Sequence, residues 1–268
     1  LCDRRQRQMC IRDRYKGLEL YEYLGKEYSM PRCMMNILNG GVHASNNLDF
    51  QEFMIVPKFN TFKESLRAAS EVFHALKGIL LDKGLNTNVG DEGGYAPDLS
   101  SNEEALSVIV KSIETAGYIP GKNIFIALDI AASSFYNSET DTYNIDNTNK
   151  TREELLNYYI ELLQKYPIIS IEDPFDEDDY LGFKMITDSL GKKISIVGDD
   201  LFVTNKNLLK KGIEEGLCNA ILIKPNQVGS FYETLETIVL AKQNKYTCIM
   251  SHRSGETTDT VSYTHLRA

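Results

Sequence analysis

Asp129, Glu172 and Asp199 each close a short apolar run, and so do Lys224 and His252. From Glu172 onward these residues lie 27, 25 and 28 positions apart. Carboxylates gathered at one place repel one another and need a cation, and hard oxygen donors suit Mg²⁺. Any one of the three alone reads equally well as a helix cap or a loop carboxylate. Asp200 reads as a supporting neighbour of Asp199. Lys224 follows four apolar residues, an unusual place for a charge that burial penalises. Beside a divalent cation its ammonium form is disfavoured further, which makes it a candidate general base. The competing reading is a lysine reaching from a strand end to solvent. Gly90-Asp-Glu-Gly-Gly94 sets two carboxylates in a loop whose backbone can approach a ligand closely, although Asp and Gly are also common turn residues. Ser251-His-Arg-Ser-Gly-Glu256 offers an anion a guanidinium fork and hydroxyls, and Arg253 with Ser254 has what phosphate recognition needs. No Gly-x-Ser-x-Gly elbow, dinucleotide fingerprint or Walker loop accompanies them. The chemistry that suits this set is proton abstraction from a carbon acid beside a carboxylate, with a separate acid releasing the leaving group.

The elements that must position these groups follow from the runs themselves. Residues 124–129, 168–172, 194–199, 220–224 and 247–252 read as buried parallel strands separated by helical segments. Strand–helix units at this interval predict an α/β barrel, with its chemistry at the C-terminal strand ends. Upstream, residues 34–38 and 50–56 read as two strands flanking the loop Asn39-Gly-Gly-Val-His-Ala-Ser-Asn-Asn47. Two helices come next, so the order is strand, strand, helix, helix and then strand–helix repeats, with seven of a barrel's eight strands countable. Helix starts carry Ser/Thr-x-x-Glu capping boxes at Thr61/Glu64, Ser101/Glu104, Thr151/Glu154 and Ser230/Glu233. Phe62, Leu66, Ala69, Phe73, Leu76 and Leu80 trace one apolar helical face, and His74 beside it reads as a packed or surface histidine. Residues 137–150 read as a polar loop.

The 268 residues allow one large domain or two small ones. A formal net charge of −9 argues against a nucleic-acid-binding face. No apolar stretch reaches the ~18 residues a membrane span requires, and no charged-then-apolar pattern of the secretory kind is read within these residues. Cys2, Cys10, Cys33, Cys218 and Cys248 are odd in number and scattered, which predicts reduced thiols in a cytoplasmic protein. Residues 1–14 and 261–268 lack the grammar of the rest and read as artefactual tails. Residues 15–30 read as the remnant of a preceding domain or linker, and 31–260 as a partial catalytic barrel.

Eight ordered motifs then make a family visible. They are Met35-Asn-Ile-Leu-Asn-Gly-Gly-Val-His-Ala44, Gln51-Glu-Phe-Met54, Gly90-Asp-Glu-Gly-Gly94, Ala127-Leu-Asp129, Ser170-Ile-Glu-Asp-Pro174, Gly198-Asp-Asp-Leu201, Lys224-Pro-Asn-Gln-Val-Gly229 and Ser251-His-Arg-Ser-Gly-Glu-Thr257. Over residues 15 to about 260 the chain closely resembles the enolase family, bacterial type. The resemblance implies a glycolytic lyase that reversibly dehydrates 2-phospho-D-glycerate to phosphoenolpyruvate with two Mg²⁺ ions. It implies Asp129, Glu172 and Asp199 as metal ligands, Lys224 as the base at C2 and Glu92 as the acid at the C3 hydroxyl. It further implies that His43 and Glu52 line the hydroxyl's path and that Gln51, Arg253 and Ser254 contact substrate. His252 is implied as a nearby hydrogen bonder. Members form dimers or octamers, and a cell-surface fraction is known in the family. Most of the family's N-terminal domain, and an eighth strand with a second active-site lysine, have no counterpart here. The 268 residues alone are therefore expected to turn over little. The alternatives are another enolase-superfamily enzyme acting on a different carboxylate, and a non-catalytic binding protein.

Overall fold

The computed structural model describes Gly17 and residues 30–253. The expected tails at 1–14 and 261–268, nearly all of 15–30, and Ser254 lie outside the described residues. The chain divides into two compact units, Arg32–Val197 and a second that runs from Gly198.

In the first unit, β1 (Met35–Asn39) pairs antiparallel with β2 (Glu52–Pro57). Two helices follow, α1 (Phe62–Asp82) and α2 (Asn102–Thr115), before β3 (Ile124–Asp129) pairs antiparallel with β2. The strand–strand–helix–helix start is therefore present, with β1 and β2 displaced by one or two residues from the sequence reading. The run from Ile124 is buried at five of its six positions, as a strand covered on both faces must be. α1 departs from the face traced in sequence. Its buried stripe is Ala68, Ala69, Val72, Leu76, Ile79 and Leu80, whereas Phe62 and Leu66 are 43% and 50% exposed. Phe73 is half-buried and stacks on Tyr95 with ring centroids 4.2 Å apart, and His74 is exposed.

Residues 136–150 correct the reading of a polar loop. β4 (Tyr136–Asn137), β5 (Thr142–Ile145) and β6 (Thr148–Lys150) form a small antiparallel sheet. Its signal is the alternation Thr-Tyr-Asn-Ile, which buries Tyr143 and Ile145 completely while the polar partners face out. Ile145 pairs with Thr148 across the two-residue turn Asp146-Asn147. Both turn residues are left-handed, with φ of 48° and 58°, the type I′ geometry that matches strand twist.

α3 (Arg152–Lys165) leads to β7 (Ile168–Glu172), which lies parallel to β3. α4 (Tyr180–Leu190) then leads to β8 (Ser195–Gly198), parallel to β7. In the second unit α5 (Lys206–Glu215) precedes β9 (Ala220–Ile223), which pairs in parallel with β10 (Thr247–Met250). Between them lie the short α6 (Pro225–Val228) and α7 (Phe231–Gln243). Among the described residues, β1, β2, β3, β7 and β8 together with β9 and β10 match the seven strands read from the sequence.

All four Ser/Thr caps form, each hydroxyl accepting the N–H three residues on. Only Thr151 and Glu154 complete the reciprocal box. Glu104 is drawn away instead, accepting from Lys83 at 2.6 Å and from Ser100 N–H at 2.8 Å. Those donors, Lys83 foremost, hold its carboxyl down to about 2. Cys33, Cys218 and Cys248 are free thiols. Among the described residues no helix is long and apolar enough to cross a membrane.

The hairpin reading predicts that Asn147→Val destabilises the protein by about 1–2 kcal/mol, because a β-branched residue resists the left-handed region. Urea denaturation measures this, and an unchanged midpoint would contradict the turn assignment.

Candidate active site

β3 and β7 end at the same level. Asp129 and Glu172 are register partners across the parallel pair, and both are buried, at 6% and 8% exposure. The ladder continues past them, with Ile130 N–H donating to the Glu172 carbonyl at 3.0 Å and Ala132 N–H to the Asp173 carbonyl at 3.1 Å. Ala131 and Asp173, just beyond the two carboxylates, have φ of 48° and 40°. Left-handed kinks at non-glycine residues are held only where the surroundings over-determine them. Just before β2, Gln51 Nε2 donates to Asp129 Oδ2 at 2.8 Å, and Gln51 N–H donates to the Asp129 carbonyl at 3.0 Å.

Glu52, the next residue, lies 3.2 Å from His43 Nδ1 through its Oε1. Glu92 joins them, and one ligand atom from each of the three lies within 4.8 Å of the others. Two loops must touch for this to happen. Asp91 N–H donates to the His43 carbonyl at 3.1 Å, and Gly94 N–H donates to Asn39 Oδ1 at 2.9 Å. A Cβ at Gly90 would stand 2.7 Å from the His43 carbonyl oxygen, and one at Gly94 2.7 Å from Leu38 N. Side chains at either position would push the loops apart, so the glycines in this motif serve close approach. The Glu52 carboxylate beside Nδ1 raises the pKa of His43 most; partial burial opposes the shift, while the charges of Glu92 and Asp129 add to it.

Residues absent from the sequence reading hold these loops. Asn102, fully buried, accepts the N–H groups of Asp49 and Phe50 on Oδ1, both at 3.1 Å. Its amide donates to Asp49 Oδ2 and Asp146 Oδ1, both at 3.0 Å. Asn102 sits inside the Ser101 capping motif, which disguised it as an ordinary first-turn residue. Asn39, also fully buried, ends β1 and was legible only as a loop boundary.

In the second unit, Asp199 follows β8 and is 7% exposed. Its Oδ2 forms an ion pair with Lys224 Nζ. An ammonium has no lone pair with which to accept a proton, so Lys224 must first give one up before it can act as a base. Lys224 is the N-cap residue of α6, and Pro225 occupies the first helical position, where a missing N–H costs nothing. After β10, His252 is exposed and Arg253 half-buried.

The structure therefore brings together Asp129, Glu172 and Gln51, then His43, Glu52 and Glu92, and separately Asp199 with Lys224. Buried carboxylates at matched strand ends are hard oxygen donors, and this donor set fits Mg²⁺. Residues 27–266 match the family described as the enolase C-terminal TIM barrel domain. The α/β barrel expected from the strand ends is the fold of that family.

His43 should titrate above its ordinary value near 6.5. A raised pKa means that the folded state favours the imidazolium. The contact thus adds stability below the unfolded value, and this is lost as pH rises through the folded one. Glu52→Gln is expected to lower the His43 titration midpoint in an NMR titration; an unmoved midpoint would contradict the pairing.

Proposed function

The chain belongs to the enolase C-terminal TIM-barrel family, and from that premise we propose that it reversibly dehydrates 2-phospho-D-glycerate to phosphoenolpyruvate. The observation that carries this reading is the gathering of His43, Glu52 and Glu92, three groups able to hold and pass protons, around one small space. Family membership alone fits many carboxylate substrates. An acid set apart from the base is what loss of a β-hydroxyl needs.

In this reading Lys224, as the neutral amine, takes the C2 proton and becomes the ammonium. Glu92, which must carry a proton to act, delivers it to the departing C3 hydroxyl, and water leaves as the C2–C3 double bond forms. Glu52 and His43 support the hydroxyl's exit. Gln51 orients the Asp129 carboxylate, and His252, Arg253 and Ser254 receive the substrate, the last two at its phosphate. Asp129, Glu172 and Asp199 would hold Mg²⁺, which when bound supplies positive charge beside the substrate carboxylate as that group gains electron density. A second Mg²⁺ per site, a homo-oligomeric state and a cytoplasmic place in glycolysis belong to the same proposal.

The steps are separable in deuterated water with the full gene product. Lys224→Ala should abolish exchange of the C2 hydrogen of 2-phospho-D-glycerate. Glu92→Gln should leave exchange running and suppress phosphoenolpyruvate formation by about 100-fold or more. Undiminished exchange in Lys224→Ala would overturn the base assignment, and no turnover by the parent would overturn the substrate.

A further inference from the structure

Lys224 is the last residue before a helix, where its backbone N–H has left the strand ladder. β9 ends at Ile223, and α6 begins at Pro225. The acceptor that this N–H finds is the hydroxyl of Thr204, at 2.8 Å. Thr204 is fully buried. Its hydroxyl hydrogen has two acceptors within reach, the Leu222 carbonyl and Gln227 Oε1, each at 3.3 Å. One threonine hydroxyl thus ties the last residues of β9 to the first turn of α6, on either side of Lys224.

Reaching that position strains the backbone. Val203 and Thr204 have φ of 41° and 57°, consecutive left-handed residues that are both β-branched, the type least suited to it. The strain begins at Asp199. The Asp199 carbonyl accepts the N–H of Phe202 at 3.0 Å and of Val203 at 2.7 Å, curling the chain tightly behind the carboxylate. Phe202 is buried at 1% exposure and anchors the curl. The Thr204 carbonyl is then fixed by the hydroxyl of Thr237 on α7, at 2.9 Å. The loop that carries Asp199 is therefore wound until Thr204 meets the backbone of Lys224, and the two side chains pair at the other end. Asn, Asp or Gly would take the left-handed positions at lower cost, but none carries both the hydroxyl and the methyl that fill this buried place.

We propose that Thr204 is a positioning residue for Lys224: the strained loop after Asp199 places its hydroxyl so that the lysine is held at one angle to its carboxylate partner. This deepens the proposed function and rests on Lys224 as the base there. Thr204 touches no reacting atom. It acts by fixing where the Lys224 stem leaves the backbone, and a small displacement of a reacting group is enough to lower a rate strongly.

Thr204→Val keeps the shape and removes the hydroxyl, whereas Thr204→Ser keeps the hydroxyl and removes the methyl. Two readouts are taken on each: hydrogen-exchange protection of the Lys224 backbone amide, and the steady-state rate of C2 hydrogen exchange on 2-phospho-D-glycerate. Thr204→Val should lose the amide protection and lower kcat for exchange by roughly 10- to 100-fold with KM little changed. Thr204→Ser should restore both. Thr237→Val removes the bond to the Thr204 carbonyl and should move both readouts the same way by less, which keeps the test available if Thr204→Val does not fold. Equal losses in the Ser and Val variants would overturn the proposal in favour of a packing role. Unaltered protection of the Lys224 amide in Thr204→Val would overturn it outright. If the parent exchanges no C2 hydrogen, the substrate reading fails, and amide protection alone decides the role of Thr204.

Discussion

Two buried carboxylates at the same level of neighbouring strands are the constraint around which the first unit is arranged. Asp129 and Glu172 are register partners, so the ladder that makes β3 and β7 a pair also forces like charges together. Strand spacing of roughly 4.8 Å sets their backbones side by side, so only side-chain rotation can part the carboxylates. Burial removes the water that would screen them. The register shifts once, between Ile126 and Ala127, and from there to the carboxylates a one-residue slip would exchange Leu128 with Ala127 between the two covered faces of β3.

Much of what surrounds these strand ends serves to keep backbone still rather than to touch a ligand. The ladder continues past the carboxylates through Ile130 and Ala132, with left-handed residues at 131 and 173. Asn102 and Asn39 collect backbone groups from loops far apart in sequence. In the second unit Thr204 does the same with a hydroxyl. Each is buried with its hydrogen bonds satisfied, the condition under which a polar group rigidifies a core instead of weakening it. Flexible glycines appear where loops must press together, at 90 and 94, and the strained non-glycine residues where the chain must turn after Asp129, Glu172 and Asp199.

The strand ends were legible because a charged residue after an apolar run breaks a pattern that sequence displays directly. Asp129, Glu172, Asp199 and Lys224 all announce themselves this way, and so do the strand–helix alternation and the four helix caps. The small sheet at 136–150 was hidden because its two buried residues, Tyr143 and Ile145, are outnumbered by the polar residues that alternate with them. The exposure of Phe62 and Leu66 was hidden because a periodic stripe does not say where the surface it packs on begins. Glu104 took the place of a capping partner in sequence, yet Lys83, distant along the chain, claims it. Asn102 and Thr204 were unreadable for a shared reason: each accepts from backbone N–H groups of segments distant in sequence, and backbone groups leave no mark in a sequence.

The most direct test of the account is a thermal melt of the protein with and without Mg²⁺, beside the Asp129→Asn variant. Binding to the folded state alone must raise the melting temperature as the cation is added. Relief of charge repulsion must make Asp129→Asn melt higher than the parent when Mg²⁺ is absent. The account predicts both, together with a weakened response of the variant to Mg²⁺. A parent melt that ignores millimolar Mg²⁺, with a variant that melts lower in its absence, would contradict it.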